Sequence, residues 1–94
     1  MWRVELGSAV RRDLKKLPHP VYIKIEECFD SLSLDPYQGE PLHGVLRGFW
    51  KVSFNVQSVS YRIVYQILKT EKVVLIIMVG SRERFYERLS RRTK

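Results

Sequence analysis

The chain has a single cysteine, Cys28, and two histidines, His19 and His43, in 94 residues. One thiol excludes a disulfide framework and a multi-cysteine metal centre, and three soft ligands so far apart in sequence do not suggest zinc. Cys28 falls in an apolar helical pattern and reads as a small core residue, in keeping with a reducing cytoplasm. Long apolar runs are missing too: the longest, Val73 to Val79, is far short of the ~20 residues a membrane-crossing helix needs. The first ten residues lack the apolar stretch and small-residue cleavage site of a secretory signal, so neither secretion nor membrane spanning is expected. Phosphate-binding glycine loops, dinucleotide fingerprints and Ser-His-Asp constellations are absent, which gives no reason to expect a small-molecule cofactor or a metal.

What is present is charge of one sign in one place. The net charge is +7, but residues 1–46 carry six basic and seven acidic side chains whereas residues 47–94 carry eleven basic and three acidic. The second half therefore generates the field, and a field of this kind draws polyanions, nucleic acid foremost, or an acidic protein. Hydrophobic residues at 45% and charged residues at 29% suit a globular chain and not a disordered one. The length fits one domain, residues 1–94, burying somewhat over ~60% of its unfolded surface without staples.

Periodicity divides the chain. Trp2 to Leu6 alternates with period two and stops at Gly7, as a half-buried strand does. Ser8 offers an N-cap to a helix whose apolar positions Val10, Leu14 and Leu17 lie on one face, and Pro18 ends it. Pro20 suits the first turn of a second helix with Val21, Ile25, Cys28, Phe29 and Leu32 at helical spacing, closed by Asp35-Pro36. The stretch from Asp35 to Gly48 has no period and reads as a loop long enough to carry function. Phe49 to Val56, Ser60 to Ile67 and Lys72 to Val79 are rich in β-branched and aromatic residues with short polar breaks, giving an antiparallel meander. A short polar helix with Phe85 and Leu89 as anchors occupies the Ser81 to Lys94 segment.

Alternation assigns the faces. Trp50, Val52, Phe54 and Val56 cover the helical hairpin together with Tyr61, Ile63, Tyr65 and Ile67, so Tyr61 and Tyr65 read as core. Lys51, Ser53 and Asn55 point the other way with Arg62, Val64 and Gln66, which makes Lys51 and Arg62 neighbours on the open face. Val73 to Val79 is apolar on both faces, so the C-terminal helix or a partner must cover its second side.

Three runs then become recognisable: Leu46-Arg-Gly-Phe-Trp-Lys51, Ser60-Tyr-Arg-Ile-Val-Tyr-Gln66, and Val79-Gly-Ser-Arg-Glu-Arg84 followed by Tyr86. In order and spacing they resemble the RelE/ParE superfamily of bacterial toxins, and the RelE branch in particular. The resemblance implies an α+β fold of the RelE-like, microbial-ribonuclease-like kind: N-terminal strand, helical hairpin, three-stranded antiparallel meander and short C-terminal helix. It also implies an endoribonuclease of a type II toxin-antitoxin system that cuts mRNA on the ribosome, restrained by a cognate antitoxin. On the family's functional positions it places Lys51, Arg62, Arg82 and Tyr86, with Arg62 and Arg82 against the scissile phosphate. Arg47, Arg84, Arg88, Arg91 and Arg92 are the expected grip on mRNA and rRNA, although the run Arg88, Arg91, Arg92 and Lys94 reads equally well as a solvated helix face. An acidic, amphipathic antitoxin segment would cover the second side of Val73 to Val79.

The chemistry matches these residue types. RNA is cut without metal when its 2′-hydroxyl attacks the adjacent phosphate, so the protein need only orient the backbone, move two protons and neutralise growing charge. Guanidinium groups fork onto phosphate oxygens and supply the last of these. A lysine or a tyrosine ordinarily holds its proton until about pH 10, and a crowd of cations brings either into range as a base. The sequence leaves open whether Lys51 or Tyr86 is that base, and Arg84 and His43 remain candidates for the acid, although His43 also reads as a plain surface residue. Two rival readings share the scaffold. One is a ParE-like inhibitor of DNA gyrase that cuts no RNA; the other is a degenerate domain that binds RNA or antitoxin only, suggested by Ser53 and Asn55 where many relatives carry basic residues.

Overall fold

A computed structural model of the protein describes residues 1–81 and 85–92. Two expected site residues, Arg82 and Arg84, lie outside the described residues. Five strands, β1 (Arg3–Leu6), β2 (Glu40–Pro41), β3 (Trp50–Val56), β4 (Val59–Leu68) and β5 (Val73–Ser81), form one sheet in the order β1-β5-β4-β3-β2. The helices are α1 (Val10–Lys15), α2 (His19–Leu34) and α3 (Phe85–Arg92). The α+β class and the strand, helical hairpin, meander, helix order agree with expectation.

The meander forms because its turns are built for it. Gln57 and Ser58 join β3 to β4 with φ of 50° and 68°, the left-handed pair that a two-residue hairpin turn needs in order to match strand twist. On the far side of β5, β1 pairs in parallel, Arg3 with Val73 through Leu6 with Ile76. The N-terminal strand thus closes the sheet beside its last strand, not beside its neighbour in sequence.

Two apolar layers sandwich the sheet. Val21, Ile25 and Leu32 of α2 and Val10 of α1 bury against Tyr61, Ile63, Tyr65, Val74, Ile76 and Val79. On the opposite face Val64 and Met78 meet Phe85 and Leu89 of α3, with Leu42, Leu46 and Phe49 at the margin. The chain's own α3 therefore seats on the second side of β5. Of the two covers expected for that side, the C-terminal helix and a partner, the chain supplies the first: two anchors spaced i, i+4 fill the place from within the chain. The parity change along β5 comes from a bulge, since Val64 pairs with Met78 and Tyr65 with Ile76, leaving Ile77 unopposed. One extra residue lets Val74, Ile76 and Val79 all face the helices.

Two smaller expectations are corrected. Ser8 does not cap α1; Ala9 holds the cap position without a side-chain bond, and the Val10 amide donates to the Gly7 carbonyl at 3.1 Å. The segment read as a plain loop contains β2, which adds a fifth strand through Glu40–Lys51 and Pro41–Trp50 pairing. It also contains two single turns of 3₁₀ helix, Pro36–Gln38 and Gly44–Leu46. A two-residue strand that includes a proline leaves no periodic signal to read.

Tyr61 and Tyr65 are core, as expected. Tyr65 is fully buried and its hydroxyl donates to the Pro36 carbonyl at 2.8 Å, tying the sheet to the first turn after α2. Burial, which penalises the phenolate, pushes its pKa up from 10 to about 12, assisted by the Asp35 charge and opposed by a backbone hydrogen bond from Gly39. The folded state therefore holds this proton more tightly than the unfolded chain. The resulting stability is present in full below about pH 10 and is lost as pH rises through about 12, on the order of 3 kcal/mol in all. Urea unfolding between pH 8 and 11.5 should show this alkaline loss, and Tyr65→Phe should remove that part of the slope. An identical slope in the variant would assign the loss to other groups.

Candidate active site

Three of the four residues expected at the reacting centre converge on the open face. Lys51 on β3 and Arg62 on β4 lie one step apart across the ladder, where Lys51 pairs with Val64 and Ser53 with Arg62. Tyr86 reaches both from the first turn of α3. The Lys51 ammonium donates to the Tyr86 hydroxyl at 3.2 Å, and the Arg62 guanidinium lies 5.2 Å from the centre of the Tyr86 ring. Phe85 sets this geometry: it is buried under α3 and meets the Tyr86 ring edge-on, at 5.7 Å and 83°.

Electrostatically the site is unfinished. Among the described residues, neither Lys51 nor Arg62 has a carboxylate within salt-bridge distance, and Arg62 Nε is a buried donor without a hydrogen-bond partner. An unsatisfied buried donor costs on the order of 1–3 kcal/mol, and the cation–π contact returns roughly 0.5–2 kcal/mol. Two cations held against one half-exposed phenol, with donors still unspent, make a receptor for an anion.

The other basic residues divide into two groups. Arg47 is exposed on the chain entering β3, and Arg91 is exposed on α3, where its ion-pair contact among the described residues is with Glu87 at 4.0 Å. Both are free to meet a polyanion. Arg88 and Arg92, expected to grip RNA, turn inward instead. Arg92 forks onto Asp13, with its two guanidinium nitrogens 2.7 and 3.2 Å from Oδ2 and Oδ1, and also donates to the Ile77 carbonyl at 3.2 Å. Arg88 lies 3.9 Å from the same carboxylate, with its guanidinium over Gly80, the residue that pairs with Arg62. The cause is the spacing, because Arg88 and Arg92 share one face of α3 and that face meets a buried acid. His43 is exposed and caps its 3₁₀ turn with no side-chain bond.

Asp13 is the residue that sequence reasoning missed. Its signal was available: it stands three residues after Val10 on the buried face of α1, where a charge requires a partner. It is 4% exposed and accepts the Val79 amide at 3.1 Å.

The fold is thus a five-stranded sheet with a helical hairpin on one face and, on the other, basic residues grouped around a tyrosine. Residues 4–90 match the model of the ParE-like toxin family of type II bacterial toxin-antitoxin systems, and the chain belongs to that family. Within it, the chain is 36% identical over 86 residues to the mRNA interferase toxin RelE of Escherichia coli K12, covering 88% of this chain and 73% of the relative. The toxin of the RelBE2 toxin-antitoxin complex from Mycobacterium tuberculosis superposes with a TM-score of 0.77 at 30% identity, over 86% of this chain and 98% of that one. A free-state mutant of E. coli RelE shares the fold, with a TM-score of 0.79 at 21% identity, over 99% and 98% of the two chains.

Proposed function

We propose that the protein is a type II toxin of the RelE kind, an endoribonuclease that cuts mRNA on the ribosome in the cytoplasm and is restrained by a cognate antitoxin. The observation that carries this reading is the convergence of Lys51, Arg62 and Tyr86 on one face with no counter-charge among the described residues. The 36% identity to an mRNA interferase supports it, and the solved complex of a 30% identical relative with its antitoxin supports the partner.

In this reading Arg62, with Arg82, holds the scissile phosphate and neutralises charge as the 2′-oxygen bonds to phosphorus. The P–O5′ bond breaks, leaving a 2′,3′-cyclic phosphate on one fragment and a 5′-hydroxyl on the other. One proton leaves the 2′-hydroxyl and one reaches the departing 5′-oxygen. The Lys51–Tyr86 pair, already in hydrogen-bond contact, sits where it can serve these transfers. Arg47 and Arg91 hold the flanking backbone.

The test is to add the purified protein to translating ribosomes and map mRNA ends, with Lys51→Ala and Arg82→Ala in parallel. Cuts within codons by the native protein, largely lost in both variants although they still bind, are expected. An intact message together with inhibited gyrase supercoiling would replace this reading with the gyrase-inhibitor one.

A further inference from the structure

We propose that Asp13 is a positioning residue for Tyr86, acting through Arg92 and Arg88 to set the rotation of α3. The inference rests on the reading of Lys51, Arg62 and Tyr86 as the cleaving set.

The α3 helix has eight residues, too few to persist on its own. Its apolar seat centres on Phe85 and Leu89 over Val64 and Met78, with Leu42, Leu46, Phe49 and Ile77 packed around them. Two anchors one turn apart fix a line on the sheet, and apolar contacts, being non-directional, set the rotation about that line less sharply than they set the distance. Rolling moves Tyr86, which follows the first anchor and lies 3.2 Å from Lys51. Something at the other end of the helix has to stop the roll.

Asp13 does this against a rigid frame. β1 ends at Leu6, and the Gly7 amide makes a last bond to the Ile76 carbonyl at 2.7 Å. Beyond that point no strand among the described residues continues β1 along this edge of β5, and the ion pair takes the strand's place. The Asp13 carboxylate accepts from the Val79 amide while the Arg92 guanidinium donates to the Ile77 carbonyl. The same two side chains fork onto each other, so α1, the β5 edge and the last turn of α3 meet at one buried carboxylate. Its other oxygen draws in Arg88, midway along the helix. A planar bidentate pair fixes orientation as well as distance, which a methyl-to-methyl contact cannot do. A buried pair of this kind is a poor source of stability compared with packed apolar residues, and its best-attested use is to select one geometry.

The experiment is a double-mutant cycle on single-turnover mRNA cleavage by the full chain on ribosomes, combined with hydrogen exchange. Asp13→Asn should lower the cleavage rate by about tenfold or more through misplacement of Tyr86, with KM little changed, and Arg92→Gln should do the same. In a Tyr86→Ala background neither change should lower the rate by more than about twofold, because the group they position is gone. Amides of residues 85–92 should exchange faster in both variants while those of β4 stay protected. Equal losses in the two backgrounds would make Asp13 a structural residue only and overturn the proposal. Unchanged exchange in α3 would overturn it whether or not the protein cuts RNA. If Tyr86→Ala itself cleaves normally, the assignment of the site fails and this proposal with it. Should Asp13→Asn not fold, Arg92→Gln, altered at a partly exposed side chain, carries the test.

Discussion

Arg62→Ala is expected to reduce mRNA cleavage by about 10²–10³-fold while leaving the protein as stable as before, or more so. Both halves follow from the same atoms. Removing one preorganised donor to a developing oxyanion costs about 2.7–4 kcal/mol of transition-state stabilisation. In the folded protein, however, the Arg62 guanidinium meets no carboxylate among the described residues, and its Nε is buried without a hydrogen-bond partner. Deleting it relieves an unmet donor and, among the described residues, gives up the contact with the Tyr86 ring, so thermal unfolding should move little or upward. Arg62→Lys is the informative companion, since an ammonium keeps the charge but not the fork and should recover a small part of the rate. A drop in melting temperature as large as that of a core deletion would show that Arg62 is held for structure, and the functional reading of that face would fail.

This opposition between activity and stability also explains which parts of the chain were legible in the sequence. Strand alternation placed Lys51 and Arg62 on one face because each apolar neighbour, Trp50, Val52, Ile63, Tyr65, has somewhere to go and the charged residues take what remains. The resemblance then singled out Tyr86, whose meeting with them depends on α3 folding back over Val64 and Met78. The anchors Phe85 and Leu89 were visible as the apolar positions of a polar helix, and the two-faced apolar run Val73 to Val79 pointed to that helix or a partner as its cover, but the bulge that decides which β5 residues meet it leaves no trace in such a run. The inward turn of Arg88 and Arg92 was hidden for a different reason. A run of arginines looks the same whether it faces solvent or a buried acid, and only the three-dimensional meeting of α1 with α3 distinguishes the two. Asp13 lies 79 residues from Arg92, and no local pattern connects them. β2 was illegible for a simpler reason, since two residues give no period.

Gly39→Ala is expected to destabilise the protein by about 3 kcal/mol, lowering the melting temperature by roughly 12–24 °C for a chain of this size. A methyl group at Gly39 would press on the Tyr65 hydroxyl and stand 2.6 Å from the Lys51 carbonyl oxygen. Neither neighbour is free to yield. Tyr65 is fully buried and its hydroxyl is committed to Pro36, and Lys51 belongs to the ladder that pairs β3 with both β2 and β4. The strain must therefore go into the backbone, and because that backbone carries the Lys51 side chain to Tyr86, cleavage should fall together with stability. Gly44→Ala makes a useful contrast: no atom lies within 4 Å of the added methyl, but the backbone holds φ at +67°, so its cost is conformational and on the order of 1 kcal/mol. Adding Tyr65→Phe to Gly39→Ala removes the oxygen nearest the methyl and should return part of the lost stability, even though Tyr65→Phe alone costs about 1 kcal/mol by leaving the Pro36 carbonyl unpaired. Urea titration of the four proteins gives the coupling directly. A strictly additive result would mean that the Lys51 carbonyl alone resists the methyl, whereas a Gly39→Ala protein as stable as the native chain would show that the β2–β3 end of the sheet is softer than this packing requires.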